Sequence, residues 1–270
     1  MKLSTMTRFG RTMGCRNPHN RLSLWGLIGA FGLIGTLMIA SGPDAQAQAP
    51  RGGEFRFPAV ASAEEQISQS DLFVFDVYFK PMRMISYQRT DPKTGEKKLE
   101  YAWYIVYRAF NHKLETKGRE NPPVNDFDPK VAPQQFVPEA KLVVTDNGRN
   151  DVYEDQVIPE ALAAINKREK GNYKNSVNIV QPIPEAVEPG SLDTAPIEGV
   201  FIWRGVNPDA NRYTVFLTGF SNGLRRIEGA DGTQVIQTKT ILQKYWRRGD
   251  RYDQRESEIV LDGDSQWIYR

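Results

Sequence analysis

The chain has 270 residues but only one cysteine and two histidines. Cys15 lies upstream of a stretch, 22–40, that carries no charge, so the body that follows has no thiol. That body can form no disulfide, no thiolate metal site and no cysteine nucleophile, and its stability must come from packing. Because Cys15 precedes the apolar run, it is not the lipid-bearing cysteine of a lipoprotein. No adjacent arginine pair stands in this tract, which argues against a twin-arginine signal. Of the histidines, His19 and His112, only the second belongs to the body. One imidazole excludes multi-histidine zinc sites and two-histidine iron sites. It leaves a single base for any Ser-His-Asp arrangement, yet His112 follows Asn111 at the end of a predicted strand, and a turn residue is the better reading. A Gly-rich phosphate loop, a G-x-S-x-G elbow and an H-E-x-x-H pair are missing too, so neither a cofactor nor a metal is expected.

What is present begins with residues 1–49. Lys2, Arg8, Arg11, Arg16 and Arg21 lead into the uncharged run 22–40, and Ala45-Gln46-Ala47-Gln48-Ala49 follows. A basic flank, an apolar stretch and an A-x-A site are the three parts of an export signal. The run reaches the length of a membrane span, although Gly26, Gly29, Gly32 and Gly35 weaken it as a helix. Two outcomes stay open: cleavage after Ala47 or Ala49, or retention as an N-terminal anchor with the basic end in the cytoplasm. Both put the globular part in the periplasm or outside the cell. Residues 1–47 hold five of the 35 Lys and Arg and one of the 33 Asp and Glu, which leaves 30 basic and 32 acidic residues. A body so close to neutral has no field for steering nucleic acid.

Residues 50–70, rich in Ala, Gly, Ser and Glu, read as a spacer on which Phe55 and Phe57 dock loosely. A single domain is expected over 71–270. Phe73, Phe75, Val77 and Phe79 alternate, as one face of a half-buried strand does, and 82–88 continues it after a break at Pro81. Asp91-Pro92-Lys93-Thr94-Gly95 is a turn. The strongest strand covers 99–111: Trp103, Ile105, Tyr107 and Ala109 line one face, while Tyr104, Val106 and Phe110 make the other apolar too, so it should be covered on both sides. Residues 113–133, charged and with Pro122, Pro123 and Pro129, are expected to be a long surface loop. A strand at 136–145 turns at Asp146-Asn147-Gly148 into Val152 and Tyr153. The one expected helix, about 158–170, starts at Pro159, presents Leu162 and Ile165, and closes at Gly171; it should plug an end of the sandwich or cover an edge. Further strands fall at 176–180, 200–204, 212–220, 224–227, 233–246, 258–261 and 266–269. Many short strands with frequent turns predict a mainly β, antiparallel sandwich.

The densest polar-aromatic cluster is Tyr245-Trp246-Arg247-Arg248-Gly249-Asp250-Arg251-Tyr252. Aromatics interleaved with arginine stack on sugar rings and pair with acidic groups, so Tyr245, Trp246, Arg247, Arg251 and Tyr252 are the candidate binding residues. Packing is the competing explanation, because strand alternation sends Tyr245 and Trp246 to opposite faces. Asn207, Asp209 and Asn211 have the spacing of a calcium loop, but Arg212 stands where such a loop needs glycine; Asx-turns explain them better. With this many acidic residues, carboxylate pairs must occur by chance, so their existence does not identify a hydrolase.

Tyr101-Ala102-Trp103-Tyr104-Ile105-Val106-Tyr107-Arg108-Ala109-Phe110-Asn111 resembles a strand of exported bacterial proteins of unknown function built on an immunoglobulin-like sandwich, in which an aromatic strand ends in Asn before a polar loop. Gly199-Val200-Phe201-Ile202-Trp203, the stretch from Tyr213 to Gly223, and Tyr245-Trp246-Arg247-Arg248-Gly249-Asp250 are similar in kind and order. The resemblance covers about 71–270 and implies an immunoglobulin-like architecture without an activity. The expectation is therefore an exported, non-catalytic module of the cell envelope whose partner is an unidentified envelope protein or polysaccharide. A carbohydrate-binding module or a carboxylate-based glycan hydrolase is the alternative.

Overall fold

The structure is a computed structural model that describes residues 53–114, 134–146, 150–189, 191, 195–229, 231–248 and 259–270, all within the compact unit Asp44–Arg270. The run 22–40, most of the loop expected at 113–133, and Asn147 and Gly148 of the expected turn lie outside the described residues. Among the described residues no helix is long and apolar enough to cross a membrane.

Two antiparallel sheets face each other across one apolar core. The first contains β1 (Phe55–Phe57), β2 (Asp76–Phe79), β3 (Arg83–Thr90), β4 (Lys97–Phe110) and, from later in the chain, β9 (Ile197–Arg204). β2 and β3 lie end to end along one edge of β4, Phe79 opposite Tyr107 and Arg83 opposite Tyr104, with Pro81 in the break where a missing N–H is tolerated. β9 runs along the other edge and sets Trp203 beside Trp103. The second sheet contains β6 (Glu139–Val144), β7 (Asp151–Glu154), β10 (Arg212–Thr218), β11 (Leu224–Glu228), β12 (Gln234–Arg247), β13 (Ile259–Leu261) and β14 (Gln266–Tyr269). Its spine is β12: β10 and β11 line one edge, and β13 and β14 the other. Two short strands, β5 (Gln135–Phe136) and β8 (Gln181–Pro182), pair separately.

β4 is covered on both sides, as its composition predicts. Trp103, Ile105, Tyr107 and Ala109 enter the core between the sheets, where they meet Leu142, Val215, Leu217 and Ile241 of the second sheet. Ala102, Tyr104 and Val106 point the other way, against α2 (Pro159–Glu169). The Tyr107 ring stacks on Phe201 at 5.0 Å and meets Phe220 edge-on at 5.0 Å. Its register partner is Gly199, where a Cβ would lie 2.4 Å from that ring. Only glycine lets the aromatic lie across β9 here.

Several expectations change. Residues 50–70 are more than a spacer: they supply β1, which pairs with β2, and a second helix, α1 (Ala63–Ser68), opened by a Ser62–Glu65 capping box. Residues 176–179 are turns and no strand covers 176–180, because the Asn175 side chain accepts the N–H groups of Val177 (3.1 Å) and Asn178 (2.7 Å) and bends the chain. The strand expected at 136–145 is interrupted between Phe136 and Glu139 by Val137 and Pro138. α2 neither plugs an end nor guards an edge; it lies on the first sheet's outer face, with Ala161 and Ile165 buried there. Lys170, at φ 53°, takes its left-handed closing position. Gly171 is needed for another reason: a Cβ there would lie 2.4 Å from the Tyr173 ring.

Two ionic contacts fasten these pieces. Glu169, in the last turn of α2, accepts from Lys80 Nζ (2.7 Å), Arg83 Nη1 (2.7 Å) and the Tyr104 hydroxyl (2.6 Å). Burial alone would raise this carboxyl; its three donors hold it below the usual range and offset the unfavourable end of the helix dipole. Arg108, on the wholly buried half of β4, donates Nε to both oxygens of Glu54 at 3.1 and 3.2 Å. Replacing Glu54 by Gln removes the carboxylate charge that this buried guanidinium pairs with and should cost about 3 kcal/mol in urea unfolding. Adding Arg108→Met should recover most of the loss.

Candidate functional site

The predicted binding segment does not form one surface. Tyr245 is buried in the inter-sheet core and donates its hydroxyl to Gln243 Oε1 at 2.8 Å; burial raises its pKa. Arg247 is 2 % exposed, and its Nη1 donates to the Pro208 carbonyl at 3.1 Å. It staples the Asn207-Pro208-Asp209 turn, which also forms an Asx-turn from Asp209 N to Asn207 Oδ1 at 3.0 Å. Tyr245 and Arg247 are therefore corrected from ligand contacts to packing residues. Arg251 and Tyr252 lie outside the described residues. Of the three described candidates, Trp246 keeps a surface position: it is half-buried on the opposite face, with the Arg248 guanidinium 4.5 Å above its ring.

The register shows what surrounds Trp246. Residues paired across an antiparallel sheet share a face, and side chains two apart on one strand do too. Trp246 sits opposite Arg212 and Val260; Lys244 opposite Thr214, and Thr214 opposite Val143; Leu242 opposite Phe216, and Phe216 opposite Lys141. This outer face of the second sheet is thus a mixed layer of half-buried Val143, Phe216, Leu242 and Trp246 bordered by Lys141, Lys244 and Arg212. A second guanidinium, Arg270, lies 4.2 Å above Phe216. No described helix packs on this layer, whereas α2 covers the corresponding face of the first sheet. Phe216, Leu242 and Arg270 were missed as sequence candidates. Extending the Tyr245/Trp246 alternation down β12 finds Leu242, but Phe216 needs the cross-strand register.

Other polar clusters are spent within the fold. Asp76 is held between Arg56 Nη2 (2.6 Å) and His112 Nδ1 (3.4 Å); burial would raise its carboxyl, but these partners keep it below the ordinary value. His112 lies nearly parallel to Phe110 at 5.8 Å and sits at the strand end, as expected. Its Nε2 is buried with no partner among the described residues, so it cannot serve as an exposed base. Arg89 and Arg204 line a cleft of about 360 Å³ beside the start of α2, yet both pair with Glu100 at 3.3 and 3.6 Å. No group of three or more potential metal ligands occurs among the described residues.

Among the described carboxyls that shift, Asp155 is the one that is raised. Burial pushes it up to about 6, against the pull of donors from the Ser176 hydroxyl and the N–H groups of Ile202 and Gln156. It joins the sheets, since it follows β7 and accepts Ile202 N of β9 at 2.6 Å. Because its folded value exceeds the ordinary 3.8, its contribution to stability is full below that value and is lost as pH rises through about 6. Relative to Asp155→Asn, the wild type should lose about 2–3 kcal/mol between pH 4 and pH 7, read by urea unfolding at each pH.

A paired substitution separates the two arginines of the predicted segment. Arg247→Ala should cost about 2–3 kcal/mol of stability through its buried hydrogen bonding, while Arg248→Ala should shift the thermal midpoint little. No family model, curated protein or solved structure matches the chain.

Proposed function

We propose that the chain is an exported, non-catalytic binding module of the cell envelope, built as an immunoglobulin-like sandwich and offering the outer face of its second sheet to an envelope protein or polysaccharide. One observation carries this reading: the two outer sheet faces are treated differently. The first is sealed by α2, with Ile165 and Ala161 fully buried. The second leaves aromatic and aliphatic side chains half-covered among lysine and arginine. Such a mixture of ring surface and cationic donors matches a partner that combines apolar patches with acidic groups. The export-signal pattern of residues 1–49 supports an envelope location.

A sugar ligand is the second reading, favoured by Trp246 and Phe216 on one face. Its condition is specific. The guanidinium groups of Arg248 and Arg270 already lie over these rings, so a pyranose would have to displace them or stack beside them.

The test is cross-linking of the tagged protein in its own envelope, followed by mass spectrometry, alongside co-sedimentation with purified envelope polysaccharide. Trp246→Ala and Lys244→Glu should leave the circular dichroism spectrum unchanged and reduce recovery of the bound component at least tenfold. Undiminished recovery in both variants would refute the proposed face. Recovery of polysaccharide alone would decide for the sugar reading.

A further inference from the structure

β11 is an edge strand with nothing on its outer side among the described residues: in the second sheet it pairs only with β12. All five of its residues are exposed, as are Val235 and Ile236 of the strand beside it. Ile227 and Val235 are register partners and share a face; they are 39 % and 41 % exposed. A two-stranded ribbon of this kind is marginal alone in water. Edges are usually blunted by charge, proline or a bulge; residues 224–228 contain no proline, and their charges, Arg225, Arg226 and Glu228, are of both signs and so can pair with a second copy.

The direction of the free main-chain groups follows from two hydrogen bonds. Lys239 N donates to Gly223 O at 2.8 Å, and Gly229 N donates to Thr233 O at 2.7 Å. Antiparallel pairs alternate between bonded and non-bonded, so Arg225 and Ile227 turn their main-chain groups toward β12. Leu224, Arg226 and Glu228 therefore turn theirs outward. Of the symmetric antiparallel registers that would use those outward groups, one centred on Arg225 sets that residue against its own copy, and the next two are centred on Arg226 and Ile227. If the two-fold axis passes through Arg226, that residue faces its own copy and like charges meet. If it passes through Ile227, Arg226 faces Glu228 of the second copy, twice, and the two isoleucines meet at the axis. Neither Arg226 nor Glu228 has an ion-pair partner among the described residues.

We propose that two copies of this chain pair through the free edges of β11, antiparallel and centred on Ile227, to form one sheet continuous across both copies. Each Arg226–Glu228 pair exchanges two main-chain hydrogen bonds and adds an ion pair on one face, while Ile227 and Val235 of both copies make an apolar cluster on the other. A two-fold axis perpendicular to the sheet keeps corresponding faces on the same side. The two Trp246 faces would then point one way, giving a bivalent surface. The dimer and its test do not depend on the function proposed for that face.

Single cysteines in the full chain carrying Cys15→Ser provide the test. At a non-bonded antiparallel pair the Cα atoms are about 4.5 Å apart, within disulfide range. Ile227→Cys should therefore give a disulfide-linked dimer under mild oxidation, while Arg226→Cys and Glu228→Cys should remain monomers on a non-reducing gel. In sedimentation, Arg226→Glu should abolish the concentration-dependent dimer of the wild-type chain, and adding Glu228→Arg should restore it, with circular dichroism unchanged throughout. Preferential linking through 226, equal linking at all three positions, or a monomeric wild type at hundred-micromolar concentration would each overturn the proposal.

Discussion

The two-sided burial of β4 is the constraint on which the remaining structure depends. Every residue of 102–110 is buried, so neither face of this half-strand meets solvent. One face is met by the second sheet; the other is met by α2 over 102–106 and by Glu54, Tyr78 and His112 around Arg108 and Phe110, and no cover is optional. A fully buried aliphatic or aromatic side chain is worth about 1.5–3 kcal/mol, so exposing the residues beneath α2 would consume much of the margin that folded domains have. The same constraint explains the ionic contacts. Arg108 lies within the buried run and must meet an acid; Glu54, just before β1, reaches back to supply it. Glu169 fastens the helix by drawing Lys80, Arg83 and Tyr104 to its last turn.

The second sheet obeys a weaker constraint. Tyr213, Val215 and Leu217 point into the core, while Arg212, Thr214, Phe216 and Thr218 point outward. β12 follows the same rule until Lys239, whose ammonium is buried against Glu65 at 2.8 Å and the Val60 carbonyl at 2.6 Å. Lys239 marks the point where the inner face leaves the core. Beyond it, the ribbon of β11 and β12 continues without a covering layer. Lysine there holds α1 against the rim of the sandwich, while the strands run on.

How much of this was legible in sequence depends on the range of the interaction concerned. Period-two runs gave β4, β10 and β12 nearly to their ends, because alternation between neighbours is local. The break at Pro81 was visible for the same reason. The spacer reading failed because β1 and Glu54 are required by Asp76 and Arg108, residues far along the chain. The strand expected at 176–180 is absent because the Asn175 side chain turns the main chain there, an effect that apolar alternation does not register. Lys170 displaced Gly171 as the closing residue of α2 since a ring contact, invisible in sequence, had already claimed the glycine. In the candidate site, alternation separated Tyr245 from Trp246 correctly. It could not tell that Arg247 would face the Asn207-Pro208-Asp209 turn, nor that Phe216 would lie beside Leu242.

The distribution of charge bears on where recognition can occur. Deep ionisable groups carry fixed obligations: Asp76 to Arg56 and His112, Glu169 to two cations and a phenol, Asp155 to Ser176 and the β9 main chain. Moving Glu169 to engage a ligand would strand Lys80 and Arg83, both largely buried, at a cost of about 3–5 kcal/mol for a charged pair. Surface cations carry no such obligation. Arg248 and Arg270 rest on ring faces, an attraction of roughly 0.5–1 kcal/mol at exposed sites, and Arg226 has a rim position on a bare edge. Exchanging those contacts for a partner's carboxylate or main chain costs little. The proposed recognition face on the second sheet draws on side chains of this kind, whose present contacts are cheap to exchange.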